Sequence, residues 1–350
     1  MTTDTQPKPV TYQRIATEEA FGPSELFDEY RKLLAGNTLD DIGFRSLWGF
    51  YLGPKSPRAG VIIERLQDLG ERRIRDMDET GIAKQVIALT SPGVQVFEAA
   101  KARTLAMSAN DQLAEATRKH PDRFAGLVAV APQDPGHAAK EIERGMRTLG
   151  LKGVIINSHT QGRYLDDEKF WDIFAAAQAV GAPIYLHPST PSNGLIAPML
   201  ERGLDGAVFG FGVETALHAL RIIVSGVFDR FPSLRLVLGH CGEALPFWLY
   251  RLDYMHGVSV RANRYANLKP LKRPISEYLK ENVYVTTSGM PWQPAIMFCR
   301  EVLGPEHVLY AMDYPYQFVA SEVAASDALP LTEAEKKQFF QTNAERLFSL

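Results

Sequence analysis

The sequence predicts a closed (β/α)8 barrel, and three observations carry that prediction. Eight short apolar runs of strand length are each followed by a helical stretch. Strands separated by helices imply parallel pairing through right-handed crossovers, and eight such units favour a closed barrel over an open sheet. A polar residue stands at the C-terminal end of each run: Glu18, Thr90, Gln133, Asn157, His187, His240, Thr287 and Asp313. In a parallel barrel those ends meet at one mouth, where the chemistry is done.

Residues 1–12, rich in Thr, Pro and Lys, read as a flexible tail, and 13–350 as a single barrel domain. The first strand, Arg14-Ile15-Ala16-Thr17, ends on Glu18-Glu19. A long insertion over about 20–80 follows. It holds a helical piece at 24–34, the aromatic stretch Ser46-Leu47-Trp48-Gly49-Phe50-Tyr51, and Ser56-Pro57 before Arg58. Apolar residues at helical spacing predict one helix over 61–79, stopped by Gly81. Strands are then expected at 85–90, 124–130, 153–157, 183–187, 234–239, 283–286 and 308–312. Helices are expected at 98–119, 137–149, 167–180, 243–256, 293–303 and 332–347, with helical stretches between 193 and 230.

With 350 residues, 45% hydrophobic and 23% charged, the chain is long enough and apolar enough for one large barrel. Its net charge of -3 gives no basic excess, which speaks against nucleic acid and against an anionic membrane surface. No apolar run approaches the ~20 residues of a membrane span. The N-terminus carries no secretory pattern, and two cysteines, Cys241 and Cys299, make no disulfide scaffold. A soluble protein of the reducing cytoplasm is expected.

Two imidazoles and two carboxylates among the strand ends can build a divalent metal site. A single strand-end histidine is more commonly a hydrogen-bonded structural residue. The weight comes from Glu18, His187, His240 and Asp313 ending strands one, five, six and eight. Glu19 is the rival of Glu18 for the ligand role.

This set, with Thr17-Glu18-Glu19-Ala20-Phe21, Thr90-Ser91-Pro92-Gly93-Val94, the stretch 157–165 and Ala311-Met312-Asp313-Tyr314-Pro315-Tyr316, resembles the amidohydrolase superfamily. Within it, the resemblance is to the metal-dependent, non-oxidative decarboxylases and runs from about Arg14 to the C-terminus. It implies the amidohydrolase type of barrel and one divalent metal, Mn2+ with Zn2+ as the alternative, on Glu18, His187 and Asp313. It also implies His240 beside the metal, hydrogen-bonded to Asp313, and Arg58 on the substrate carboxylate. Thr90 and Tyr316 would line the pocket, and Leu47 and Phe211 would wall it. Arg251 would reach the substrate or a neighbouring subunit. The implied reaction is decarboxylation of a small ortho-hydroxy aromatic acid, 5-carboxyvanillate in lignin-derived catabolism, with Asp313 as proton donor. A homodimer or homotetramer is implied as well.

Two departures sharpen this. Many members begin Glu-x-His with both residues on metal, whereas this chain has Ala20 at the third position. Binuclear members carry a lysine at the end of strand four, whereas this chain has Asn157, so one metal is expected. The competing expectations are a metal-dependent hydrolase or lactonase on the same barrel, and a catalytically silent binding barrel.

Overall fold

The computed structural model describes residues 11–36, 39–53 and 56–350. The expected tail at 1–10 lies outside the described residues. Tyr12, at its end, is buried: its ring stacks on Phe340 with centroids 5.0 Å apart, and its hydroxyl donates to Asp327.

Among the described residues, eight parallel barrel strands run in order: Ile15–Phe21, Lys84–Leu89, 124–129, Val154–Asn157, Ile184–His187, Leu236–Leu238, Val283–Thr286 and Val308–Leu309. The third is in two pieces, Phe124–Gly126 and Val128–Ala129. Its first piece pairs with strand two and its second with strand four. Leu127 bridges them, its N–H on Ile87 O, while Val128 N–H turns to Gly153 O. At the other seam Thr17 N–H bonds Tyr310 O and Ala20 N–H bonds Tyr314 O, which closes the ring. The strands are buried on both faces and rich in Val, Ile and Leu, as parallel strands between helices must be.

The structure corrects several expected boundaries. Strand one does not stop before Glu18 but runs through both glutamates to Phe21. Its register against strand two slips between Ala16 and Glu19, a bulge of the kind that re-aims side chains beside functional sites. The last strand pairs only over Val308–Leu309. Beyond it the chain is held by strand one: Thr17 Oγ1 donates to Tyr310 O, and the Glu19 carboxylate accepts from Met312 and Tyr314 N–H. The helix expected over 61–79 is two, Pro57–Gln67 and Glu71–Thr80. Asp68 breaks it by taking the N–H groups of Gly70 and Arg73 on its own carboxylate. Among the described residues the insertion after strand one thus holds four helices, with Ser24–Gly36 and Ile42–Tyr51 preceding these two. The helix expected over 243–256 begins at Leu249, because residues 240–244 adopt another conformation described below.

Candidate active site

Glu18 is the centre of the mouth. It is 5% exposed, and its two carboxylate oxygens are treated differently. Oε2 accepts from the Tyr185 hydroxyl and, at 2.7 Å, from Thr286 Oγ1. Oε1 is buried and has no hydrogen-bond partner among the described residues. It faces His187 Nε2 at 3.5 Å and His240 Nε2 at 3.9 Å. Gly239 makes this approach possible, since a Cβ there would lie 2.8 Å from both Glu18 oxygens.

His187 presents a lone pair to that oxygen. Its Nδ1–H donates to Pro188 O at 2.8 Å, which leaves Nε2 unprotonated. Burial pushes the imidazole below its ordinary range, outweighing the attraction of Glu18, so it stays neutral. Asp313 completes the group: one ligand atom each from Glu18, His187 and Asp313 lies within 4.8 Å of the other two. Burial, with the Glu18 charge adding, pushes the Asp313 carboxyl well above the usual carboxylate range, although His240 opposes the shift. Asp313 has φ +76°, a left-handed conformation that a non-glycine residue adopts at a cost. The N–H groups on either side of it, from Met312 and Tyr314, bond Glu19 at 3.0 Å each. Glu19 is therefore committed to the backbone and is turned away from the ligand role. Burial raises its pKa to about 8 against the pull of those two N–H groups.

His240 departs from expectation. No hydrogen bond joins it to Asp313 among the described residues; its Nδ1 bonds Glu243 Oε1 at 2.8 Å. Burial would lower its pKa, but Glu243 and then Glu18 outweigh that and raise it to about 10. Both residues ride on a left-handed turn in which His240, Cys241, Gly242, Glu243 and Ala244 all have φ between 50° and 76°. This turn is why no right-handed helix starts at 243. It also folds Glu243 back beneath the ring, into space left by Gly212, whose Cβ would meet Glu243 Oε2 at 2.9 Å.

Above this group is a cavity of about 130 Å³ lined by Leu47, Tyr51, Ser91, Ala207, Phe211 and Tyr316 together with His187, His240 and Asp313. Leu47, Phe211 and Tyr316, singled out in the sequence, all line this cavity. Thr90 reaches the pocket through Tyr316, to whose hydroxyl its Oγ1 lies at 2.5 Å. The two arginines do not line the cavity. Arg58 is exposed at the rim, donating to Tyr316 O at 3.2 Å. Arg251 is exposed on the helix Leu249–Arg261, none of whose residues is buried. Asn157 is buried, with its amide directed at Leu89 O. Tyr51, Tyr185, Thr286 and Glu243 were missed. Tyr185 was readable two places before His187, on the same inward face, and Glu243 three places after His240.

Fold and site together define a metal-binding (β/α)8 barrel of the amidohydrolase type. The chain belongs to the amidohydrolase family, whose model matches residues 64–350. It is 59% identical to the 5-carboxyvanillate decarboxylase of Novosphingobium aromaticivorans, solved with manganese and 4-hydroxy-3-methoxy-5-nitrobenzoic acid. That match has a TM-score of 0.95 and covers 97% of each chain. It is 41% identical to the 5-carboxyvanillate decarboxylase of Sphingomonas paucimobilis, with a TM-score of 0.91 over 97% of this chain and 100% of that one. The gamma-resorcylate decarboxylase of Polaromonas sp. is 36% identical over 299 residues, 82% of this chain and 89% of its own length.

The left-handed turn yields a stability prediction. Ala244 is exposed at φ +61°, so Ala244→Gly relieves backbone strain and should raise unfolding stability by about 1 kcal/mol. Urea titration of the two proteins would measure this, and an unchanged or lower midpoint would contradict it.

Proposed function

We propose that this chain is a metal-dependent carboxy-lyase that decarboxylates an ortho-hydroxy aromatic acid, 5-carboxyvanillate, to vanillate and CO2. The observation that carries the reading is the group of Glu18, His187 and Asp313, with a buried carboxylate oxygen left unpaired, at the floor of an aromatic-walled cavity. An unpaired buried carboxylate oxygen facing an imidazole lone pair is costly alone and suits a divalent cation. Mixed oxygen and imidazole donors fit Mn2+, with Zn2+ as the alternative. Glu18, His187 and Asp313 would hold it. When bound, the metal supplies a Lewis-acid centre that fixes the phenol oxygen and tunes its electron density.

The chain's own residues do the rest. Leu47, Phe211 and Tyr316 hold the ring flat, and Thr90 fixes the Tyr316 hydroxyl. Arg58, exposed at the rim with its guanidinium on Tyr316 O, would turn its planar fork inward to orient a substrate carboxylate. Direct loss of CO2 would leave an aryl anion of prohibitive energy. Asp313 therefore donates its proton to the ring carbon that bears the carboxylate. The carbon–carbon bond then breaks, its electron pair returns to the ring to restore aromaticity, and CO2 leaves. Asp313 ends as carboxylate and regains a proton from water. His240, held as imidazolium by Glu243, stabilises negative charge in the ligand group during this exchange.

The same reading places the enzyme in the cytoplasm, where the free thiols of Cys241 and Cys299 persist. Among the described residues no helix is long and apolar enough to cross a membrane. It also makes the protein a homodimer or homotetramer. Phe247 and Tyr250 are 74% and 82% exposed, with the exposed Trp248 against Phe247 and Tyr254 stacked on Tyr250, an aromatic face that a second copy would cover. Arg251 lies in this face and would serve the neighbouring subunit's site.

Purified protein should convert 5-carboxyvanillate to vanillate, lose this activity on chelation and regain it with Mn2+. Asp313→Asn should lower kcat by roughly 10²–10⁴-fold. Turnover that survives chelation, or Asp313→Asn at full rate, would defeat the reading. The subunit claim has its own check. Asp313→Asn and Arg251→Ala proteins, each inactive, should on mixing recover roughly a quarter of wild-type activity, because half the dimers then hold one intact site. No recovery by subunits that exchange freely would contradict a shared site.

A further inference from the structure

A second buried polar group joins the loops after strands four and five, and none of its members lines the cavity. Its centre is Glu214, on the inner face of the helix Gly210–Val224 and 0% exposed. Oε1 accepts from Ser158 Oγ at 3.2 Å. Oε2 accepts from Tyr164 OH at 3.2 Å and from Ser192 N–H at 3.1 Å. Tyr164 OH and Ser192 Oγ are themselves 3.1 Å apart. His218 sits one helical turn on, also fully buried. Ser158, His218 and Glu214 have the residue types of a nucleophilic triad but not its protonation. Leu165 N–H donates to His218 Nε2 at 2.9 Å, so the ring proton is on Nδ1, which donates to Ser158 Oγ at 3.3 Å. The histidine cannot act as a base toward that serine, and the group has a different use.

That use follows from what Glu214 holds. Residues 188–192 form the loop after His187, and Pro188 O at its start fixes the ring of that ligand. The loop is tied at its middle by His159, whose Nδ1 accepts Gly162 N–H and whose Nε2–H therefore donates to Thr190 O at 3.1 Å. It is tied at its end by Glu214, through Ser192. A buried carboxylate that satisfies three donors from two loops permits few alternative arrangements of either. From this geometry we infer that Glu214 is a positioning residue for the metal site: it holds the 188–192 loop so that Pro188 O keeps His187 Nε2 aimed at Glu18. The inference rests on the proposed ligand set and adds to it a partner two contacts removed. Outer-shell groups that orient a ligating histidine affect metal affinity, which distinguishes this role from general support of the fold.

The test is Mn2+ affinity of the full-length apoprotein, read from the electron paramagnetic resonance signal of free Mn2+ during titration, beside thermal unfolding without metal. Glu214→Gln keeps the volume but places an N–H2 where an acceptor is needed. It should weaken Mn2+ binding by about tenfold or more. Tyr164→Phe, which removes one donor and keeps the ring, should shift affinity in the same direction by less, and it decides the matter if Glu214→Gln does not fold. His187→Ala should abolish binding. Wild-type Mn2+ affinity in folded Glu214→Gln and Tyr164→Phe, with loss in His187→Ala, would overturn the inference and leave the ligand set standing. Wild-type affinity in His187→Ala would remove the ligand set and the inference with it.

Discussion

Much of this structure depends on one carboxylate whose two oxygens have different surroundings. Glu18 is almost fully buried, and among the described residues only one of its oxygens is hydrogen-bonded. Tyr185 and Thr286, from strands five and seven, fix that oxygen and so fix the side chain's rotation. The other oxygen is thereby aimed at the His187 lone pair. Leaving a charged acceptor unpaired in a buried site costs free energy that a divalent cation recovers. The barrel supplies the rigidity: residues on three strands are held by ladder hydrogen bonds that do not depend on the ligands themselves.

The loops after the strands accept strain to complete the group. Asp313 and the run His240–Ala244 occupy left-handed backbone conformations, and glycines stand where a Cβ would collide with a site carboxylate: Gly239 against Glu18, Gly212 against Glu243. Such positions persist only where the surrounding structure over-determines them. Glu19 shows how. By taking the N–H groups of Met312 and Tyr314 it clamps the backbone on both sides of Asp313 and commits itself to a structural role. Adjacent glutamates on one strand thus divide the work, one to the candidate metal site and one to the turn that completes it.

The barrel and the core of the site were legible because both rest on local pattern. Apolar runs mark strands, and a polar residue at the end of each marks the mouth, so the pattern singles out Glu18, His187, His240 and Asp313 together; the choice of Glu18 over Glu19 and of three ligands among the four came from the family resemblance. What was not legible depends on backbone conformation or distance in sequence. Nothing in Gly239-His240-Cys241-Gly242 announces a left-handed turn, so a helix was expected to start directly after it, at 243, and Glu243 was overlooked in favour of Asp313 as the partner of His240. Arg58 was singled out within a long insertion, where sequence does not reveal which side chains face inward; in this chain it sits at the rim. Arg251 lies on a helix with no buried residue, so no contact within the described chain marks it out.

The central claim is the ligand set, and anomalous diffraction from crystals of the protein grown with Mn2+ tests it most directly. One manganese peak per chain, within bonding distance of Glu18 Oε1, His187 Nε2 and the Asp313 carboxylate, is the predicted result. A peak that lacks any of these three, a second peak beside Asn157, or manganese bound through Glu19 would contradict it.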